Sequence, residues 1–291
     1  MMPAMEQPRA IDSEKMPSSR ARRKFLSRLG LWVPLAVLAL WLVISIYPNM
    51  APYPPNAINA PAELLAPSWH HWFGTDQLGR DIFSRILWGG RDAFIIALGS
   101  VVLGAFLGTI LGIIGGMGSE PIKWFIMRMT DILLSIPAIV VAMVVITILG
   151  AGVVDLILAI GISEVPIFIR VARGATLTVR ERPYVESATA LGAGFGRVLF
   201  RHVLPNIFGS VLVVATIDMG GSILAVAGLT FIGLGPPPPQ AEWGSMISQA
   251  QQYIPQDWWM AVFPGVVIII AVLALNLLGE ELQRVFDPRR Q

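Results

Sequence analysis

Six windows of this chain are apolar enough to cross about 30 Å of hydrocarbon as helices, a crossing that takes roughly 20 residues. They lie near Leu31–Tyr47, Ala93–Gly116, Ile132–Leu149, Val153–Ile169, Ile207–Leu229 and Trp258–Leu278. No water reaches the centre of a bilayer, so each backbone N–H and C=O there must pair within its own segment, and these windows must be helical. Only "GAG" (Gly150–Gly152) separates the third from the fourth, which predicts a tight helical hairpin. The balance of the chain agrees: 55% of its residues are hydrophobic and 14% charged, where a soluble domain carries about 25% charged residues. The expected fold class is all-α and integral to a membrane, with six transmembrane helices.

Charge orients the bundle. With a cytoplasmic amino terminus and six spans, 18 of the 21 Lys and Arg fall on the cytoplasmic side, leaving Arg80, Arg85 and Arg91 outside. That asymmetry predicts both termini in the cytoplasm. Trp258 and Trp259 then fall at the outer interface, joined by Trp69 and Trp72. "ARRKFLSRLG" (Ala21–Gly30) has the look of a twin-arginine export signal. It reads instead as the anchor of the first span, because no small-residue cleavage site follows and five more apolar windows do. The formal net charge of +2 gives no footprint for nucleic acid, and with no Cys there are neither disulfides nor thiolate metal sites.

The chain divides into a polar tail expected to be disordered (1–25), a first span with an external segment (26–92), a core of five spans (93–285) containing a polar cytoplasmic loop (173–206), and a short carboxyl tail (286–291). The external segment opens Pro- and Ala-rich and extended. It then changes to "HHWFGTDQLGRDIFSRILWGGRDAF" (His70–Phe94), where Asp81–Trp88 reads as a short helix lying on the outer membrane surface. Gly104, Gly108, Gly112 and Gly116 recur every fourth residue in the second span, with Ser100 continuing the row. Such a row predicts close backbone approach to a neighbouring helix. A second external loop, Gly233–Trp259, holds four consecutive prolines and a stretch, "SMISQAQQYI", suited to a short amphipathic helix.

Reactive chemistry is not evident. His70 and His71 lie outside and His202 inside, so the three cannot converge, and neither G-x-S-x-G nor H-E-x-x-H occurs. The three Lys (Lys15, Lys24, Lys123) follow no phosphate-binding glycine loop. The sequence therefore predicts no catalytic residue, no metal site and no cofactor of the chain's own. Three carboxylates fall inside apolar windows: Asp155 at a helix end, and Glu164 and Asp218 deeper. Charges there are expensive and face interior cavities or partners. Two readings stay open for Glu164 and Asp218: lining of a translocation path, or simple packing beside Pro166 and Gly220–Gly221. An ion-coupled secondary carrier would build its site on the same pair.

The cytoplasmic stretch "RPYVESATALGAGFGRVLFRHVLPN" (Arg182–Asn206) is the puzzle. Pro183 suits the first turn of a helix and Gly192 the left-handed position that closes one. "GAGFG" then supplies a bend, and a second short helix over Arg197–Leu204 leads through Pro205 into the fifth span. The product is a small two-helix projection, suited either to a groove on a partner or to an ordinary interfacial loop.

"ESATALG…HVLPN" resembles the E-A-A-x-x-x-G…I-x-L-P signature of permease subunits in binding-protein-dependent ABC importers. Glu186, Ala188, Gly192, Leu204 and Pro205 match it, while Ser187 replaces the usual Ala and His202 the usual Ile. "HWFGTDQLGRDIFSRILWG", "FIGLGPPPPQAEWGSMI" and "FPGVVIIIAVLALNLLGEELQRVFDPR" are similar to the DppC/OppC branch, which serves peptide and nickel uptake. The resemblance implies a MetI-like permease fold in the bacterial inner membrane. It implies a sibling permease, two cytoplasmic ATPases that bind the ATP and Mg, and an external solute-binding protein. Residues Glu186–Gly196 become the coupling helix, with Glu186, Ser187, Ala188, Gly192, Gly194, Leu204 and Pro205 as its signature positions. The outer segments become the docking face, where Thr75, Asp76, Arg80 and Asp81 form either a contact surface or a self-contained ion-paired turn. Glu242, Trp243 and Gly244 are expected at an outer gate. Dipeptides, oligopeptides, glutathione, nickel and metal chelates all fit the branch as substrates, with peptides leading.

Overall fold

The computed structural model describes residues 19–286. The expected tails lie outside these residues for 1–18 and 287–291. The regular elements are helical: α1 (Ser19–Ile46), α2 (Ile82–Met117), α3 (Glu120–Leu134), α4 (Ala138–Leu149), α5 (Val153–Arg180), α6 (Pro183–Ala190), α7 (Phe195–Val198), α8 (Leu204–Phe231), α9 (Trp243–Ala250) and α10 (Trp259–Phe286). Short 3-10 turns occur at Pro48–Met50, Ala60–Ala62 and Gln251–Tyr253. A lone antiparallel bridge joins Thr75 to Asp81.

The glycine row of α2 meets α5. A Cβ on Gly108 would stand 2.8 Å from the Val165 carbonyl oxygen, and one on Gly112 would stand 2.7 Å from that of Ile169. One on Gly104 would come 3.1 Å from the Gly161 carbonyl oxygen. Four-residue steps on both helices keep the two rows in register, so the backbones approach as side chains would forbid. At the end of α2, Arg173 and Arg180 of α5 donate to the carbonyls of Gly115 (3.1 Å) and Gly116 (3.3 Å). These are among the carbonyls a helix end leaves unpaired.

Three expected elements differ from the reading above. Asp81–Trp88 is no separate surface helix but the cap and opening turns of α2, which runs 36 residues without a break. Gly89 and Gly90 do not interrupt it, because a Cβ at either position would press on the Trp243 ring, at 2.9 and 3.1 Å. They form a notch for tryptophan rather than a stop. The third window, Ile132–Leu149, is not one helix: α3 and α4 meet at a 93° bend. Pro137, without an N–H, precedes α4, whose 12 residues extend about 18 Å, well short of a full crossing.

The third difference is at Pro205. The course from Phe195 to Phe231 is helical throughout, with a π-turn at Leu199–Val203 in place of a bend. Proline cannot donate to the carbonyl four residues back. The ladder widens just before it, and the Leu204 N–H bonds to the Leu199 carbonyl instead.

By length and composition, α2, the course Phe195–Phe231 and α10 are long enough to cross a membrane, and the bent pair α3–α4 makes a fourth if taken as one span. α1 runs 28 residues, and its stretch Trp32–Ile46 is apolar. Asp155, Glu164 and Arg170 break the apolar run of α5. Among the described residues, length and composition thus single out three or four of the six expected spans.

The core lies where α1, α2, α8, α9 and α10 converge on Trp41, Ile82, Ile86, Ile223, Trp243 and Met260. A second cluster joins α2, α4, α5 and α8 through Ile96, Ile146, Leu156 and Leu229. Trp259, expected at the outer interface, is buried in the first cluster, and its indole N–H donates to the Thr75 carbonyl at 3.4 Å. Its neighbour Trp258 remains half-exposed.

Candidate functional site

At one end of the bundle α6 protrudes as two turns. Pro183 occupies its first turn, where a missing N–H costs nothing. Gly192 closes it at φ +86°. The Ala193 N–H reaches back to the Ala188 carbonyl and the Gly192 N–H to that of Thr189, both at 3.0 Å. This paired closure satisfies the helix's last carbonyls and needs a residue tolerant of the left-handed conformation. Val185, 1% exposed, anchors α6 on Ile113, Val179, Val198, Val203 and Ile207.

What α6 presents is its tip. Glu186, Ser187 and Gly192 are exposed, as are Gly194, Leu204 and Pro205, while Ala188 is half-buried. Leu191 is 89% exposed, an apolar side chain standing in the open at the end of the helix. It was not among the predicted site residues, although its spacing from Tyr184 and Ala188 marks the side of the helix it extends. His202, the departure from the usual signature, packs its ring on Tyr184 with centroids 5.8 Å apart. The substitution thus keeps a contact between α6 and the π-turn. A groove of about 700 Å³ runs beside this element, lined in part by Arg180, Glu181, Glu186 and Phe195.

Inside the bundle the two deep carboxylates come together. Glu164 of α5 is 5% exposed. Its Oε1 lies 2.5 Å from the hydroxyl of Ser222 on α8, one turn beyond Asp218. Ser222 also lies 3.0 Å from the Asp218 backbone carbonyl. Sequence reasoning missed Ser222, whose i+4 spacing from Asp218 was the available signal. Asp155 is apart from both and accepts the Gly152 N–H at 2.9 Å, holding the α4–α5 hairpin.

At the opposite end, Thr75, Asp76, Arg80 and Asp81 all lie inside. None is more than 6% exposed in this conformation, and all four pair within the turn and with the segments around it. Asp76 accepts the backbone N–H groups of Leu78 (2.9 Å) and Arg80 (3.0 Å), and the Arg80 Nε at 2.7 Å. The Thr75 hydroxyl donates to the Ala62 carbonyl at 2.5 Å and accepts the Leu65 N–H at 2.8 Å. Asp81 caps α2 through the Ser84 N–H at 2.8 Å and meets His71 Nδ1 at 2.9 Å. Arg85, also missed, is 1% exposed. Its Nη1 donates to the Pro55 carbonyl (3.0 Å), Asn56 Oδ1 (3.1 Å) and the Pro239 carbonyl (3.4 Å), tying the segment before α2 to the proline loop before α9.

The expected gate residues are a packed joint in this conformation. Glu242 caps α9, accepting the Ser245 N–H at 2.8 Å. Burial pushes its carboxyl up to about 6. Trp243 donates to the Ile86 carbonyl at 3.0 Å. A side chain on Gly244 would collide with the Ala227 carbonyl and the Thr230 hydroxyl, so α9 rests directly on α8.

Among the described residues, no group of three or more His, Cys, Asp or Glu is arranged to hold a metal ion. Long apolar helices, with a small helix projecting from one end, are the architecture of an integral membrane protein. Residues 108–291 match the family described as binding-protein-dependent transport system inner membrane component. A di/tripeptide transport system permease protein of Pseudomonas aeruginosa is 38% identical over 83% of this chain and 82% of its own length. A glutathione transport system permease protein of Pectobacterium atrosepticum is 41% identical over 77% and 74%. Among solved structures, an inward-facing MetNI methionine ABC transporter chain superposes with a TM-score of 0.60. It is 18% identical, and the match covers 71% of this chain and 98% of that one. The chain belongs to the family of inner membrane components of binding-protein-dependent transport systems, and it has the MetI-like ABC permease fold.

Proposed function

We propose that this chain is one permease subunit of an ATP-driven importer of di- and oligopeptides. With a sibling permease it forms the translocation path, and an external solute-binding protein delivers the substrate. Both termini face the cytoplasm. ATP and Mg are held by two partner ATPases, and this chain has no ATPase site of its own. The observation that carries the reading is α6: a two-turn helix, rigidly closed at Gly192, anchored by Val185 and ending in the exposed Leu191. An apolar tip on a stiff anchored helix can transmit displacement from a partner that grips it. A rigid element biased by nucleotide state is what alternating access requires.

In this reading Glu186 orients α6 through its first-turn position, where the helix end favours an anion. Glu164 and Asp218 face the path, and Glu242, Trp243 and Gly244 close it outside. A second substrate reading, glutathione, is supported by the 41% identity to the Pectobacterium permease. Both are tested by purifying the chain from native membranes in mild detergent with its copurifying proteins, reconstituting the complex with the neighbouring binding protein, and measuring ATP-driven uptake of trialanine and of glutathione. A second permease, ATPases and peptide uptake support the proposal. Recovery of the chain alone, or uptake that follows a proton gradient and ignores ATP, would overturn it in favour of a secondary carrier.

A further inference from the structure

The cluster formed by Glu164, Ser222 and Asp218 has more acceptors than donors. It sits near the middle of two 28-residue helices, α5 and α8. Ser222 has one hydroxyl proton for two neighbours, Glu164 Oε1 and the Asp218 carbonyl. Glu164 Oε2 and Asp218 Oδ2 are buried and have no hydrogen-bond partner among the described residues. Among the described residues neither carboxylate belongs to an ion pair, and the cations of α5, Arg170, Arg173 and Arg180, are engaged by Asp131 and by the Gly115 and Gly116 carbonyls. A buried carboxylate oxygen without a donor is costly. Two of them converging from different helices describe a site that lacks its donor.

We propose that Glu164 and Asp218 form a binding subsite for a primary ammonium, the free amino terminus of a transported peptide. The chemistry favours this ligand. An ammonium offers three N–H donors on one atom and can serve both free oxygens while retaining a third bond. Ca2+ and Mg2+ want six or more oxygen ligands and Zn2+ about four nitrogen, sulfur or oxygen ligands, and no third acidic or imidazole group joins these two among the described residues. The cluster lies nearest the surface on the Asp218 side. Asp218 is only half-buried and neighbours the exposed Gly221, where even a Cβ would stand 3.7 Å from Asp218 Oδ1. The more deeply buried Glu164, braced by Ser222, then supplies the inner acceptor.

This inference rests on the peptide-permease reading, and its test separates the two. The assembled complex, without nucleotide and without binding protein, is placed in nanodiscs. Binding of tritiated trialanine and N-acetyl-trialanine is measured for the wild type and for Glu164→Gln, Asp218→Asn and Asp218→Glu. The expected result is wild-type preference for the free amino terminus of at least tenfold. Glu164→Gln and Asp218→Asn bring that preference close to one, and Asp218→Glu retains most of it. Equal wild-type binding of the two peptides, or no binding of trialanine, overturns the proposal even if the variants fail to assemble. So does an unchanged preference in Glu164→Gln and Asp218→Asn, including the case where only the pH dependence of uptake moves and the pair is a proton site. ATP-driven trialanine uptake by the complete wild-type system reports on the parent reading: peptide uptake without ammonium preference sinks the subsite alone, and absence of any peptide uptake sinks the parent reading.

Discussion

Trp41 and Trp243 stack with ring centroids 5.8 Å apart and planes 29° from parallel. Each indole N–H takes a carbonyl of α2, one turn apart: Gly90 at 2.9 Å for Trp41 and Ile86 at 3.0 Å for Trp243. Gly89 and Gly90 leave the room, so α1, α2 and α9 lock at one point.

Replacing Trp243 with Ala should cost about 3–5 kcal/mol, the usual effect of emptying a large aromatic site. Trp243→Phe should lose much less, keeping the stack and forfeiting a hydrogen bond worth about 1 kcal/mol. Thermal unfolding of the purified complex checks the order. A role at the gate is tested by uptake in Trp243→Phe: transport unchanged at normal assembly would remove it.

Leu191 should be the strongest contact of α6. Burying an exposed leucine contributes about 2 kcal/mol. Leu191→Ala is therefore expected to weaken ATPase binding by roughly 30-fold, with the permease pair intact. Glu186→Arg should leave assembly in place while separating ATP turnover from uptake. Pull-down of the ATPases and the ratio of transport to hydrolysis read the two effects. Coupled transport at the wild-type ratio in Glu186→Arg would exclude that residue from the mechanism.

Arg85 should not tolerate Lys. A lysine ammonium cannot reproduce the guanidinium's contacts to Pro55, Asn56 and Pro239 while facing Asp76 at 3.7 Å. Removing the charge with Arg85→Met should cost about 3–5 kcal/mol through the buried Asp76 left with fewer cations. Limited proteolysis between residues 48 and 81 is the direct measurement, with faster cleavage expected in both variants.

Glu242 should make stability depend on pH. Its carboxyl rises from an ordinary 4.5 to about 6 because burial disfavours the charge. Between those values the native chain holds a proton that the unfolded chain has released. Stability should be highest below about pH 4.5 and fall as pH rises through about 6, by on the order of 2 kcal/mol. Glu242→Gln should flatten that part of the profile, and the same slope in both proteins would show that another group causes it.

A wedge between α2 and α5 should be worse than any surface change. Gly108→Leu would force apart backbones that sit on the Val165 carbonyl, and loss of assembled complex is expected. Gly174→Ala, with open space around it, should have little effect on yield, which gives the comparison its control.

Much of this was readable along the chain because its causes are local. An apolar run must become helix wherever backbone groups lack water, a fourfold glycine row announces a close neighbour, and Pro183 with Gly192 bounds a two-turn helix through backbone conformation alone. The errors arose where distant parts decide. Nothing near Gly89 and Gly90 says that tryptophans from α1 and α9 will occupy the notch and keep α2 continuous. Thr75, Asp76, Arg80 and Asp81 read equally well as surface or interior until the neighbouring segments fold over them. Ser222 acquires its meaning only when α5 and α8 cross at Glu164. Periodicity and turn chemistry act over a few residues, whereas burial, pairing and the convergence of two carboxylates depend on which helices meet and how they are rotated. Packing settles that only when the whole bundle closes.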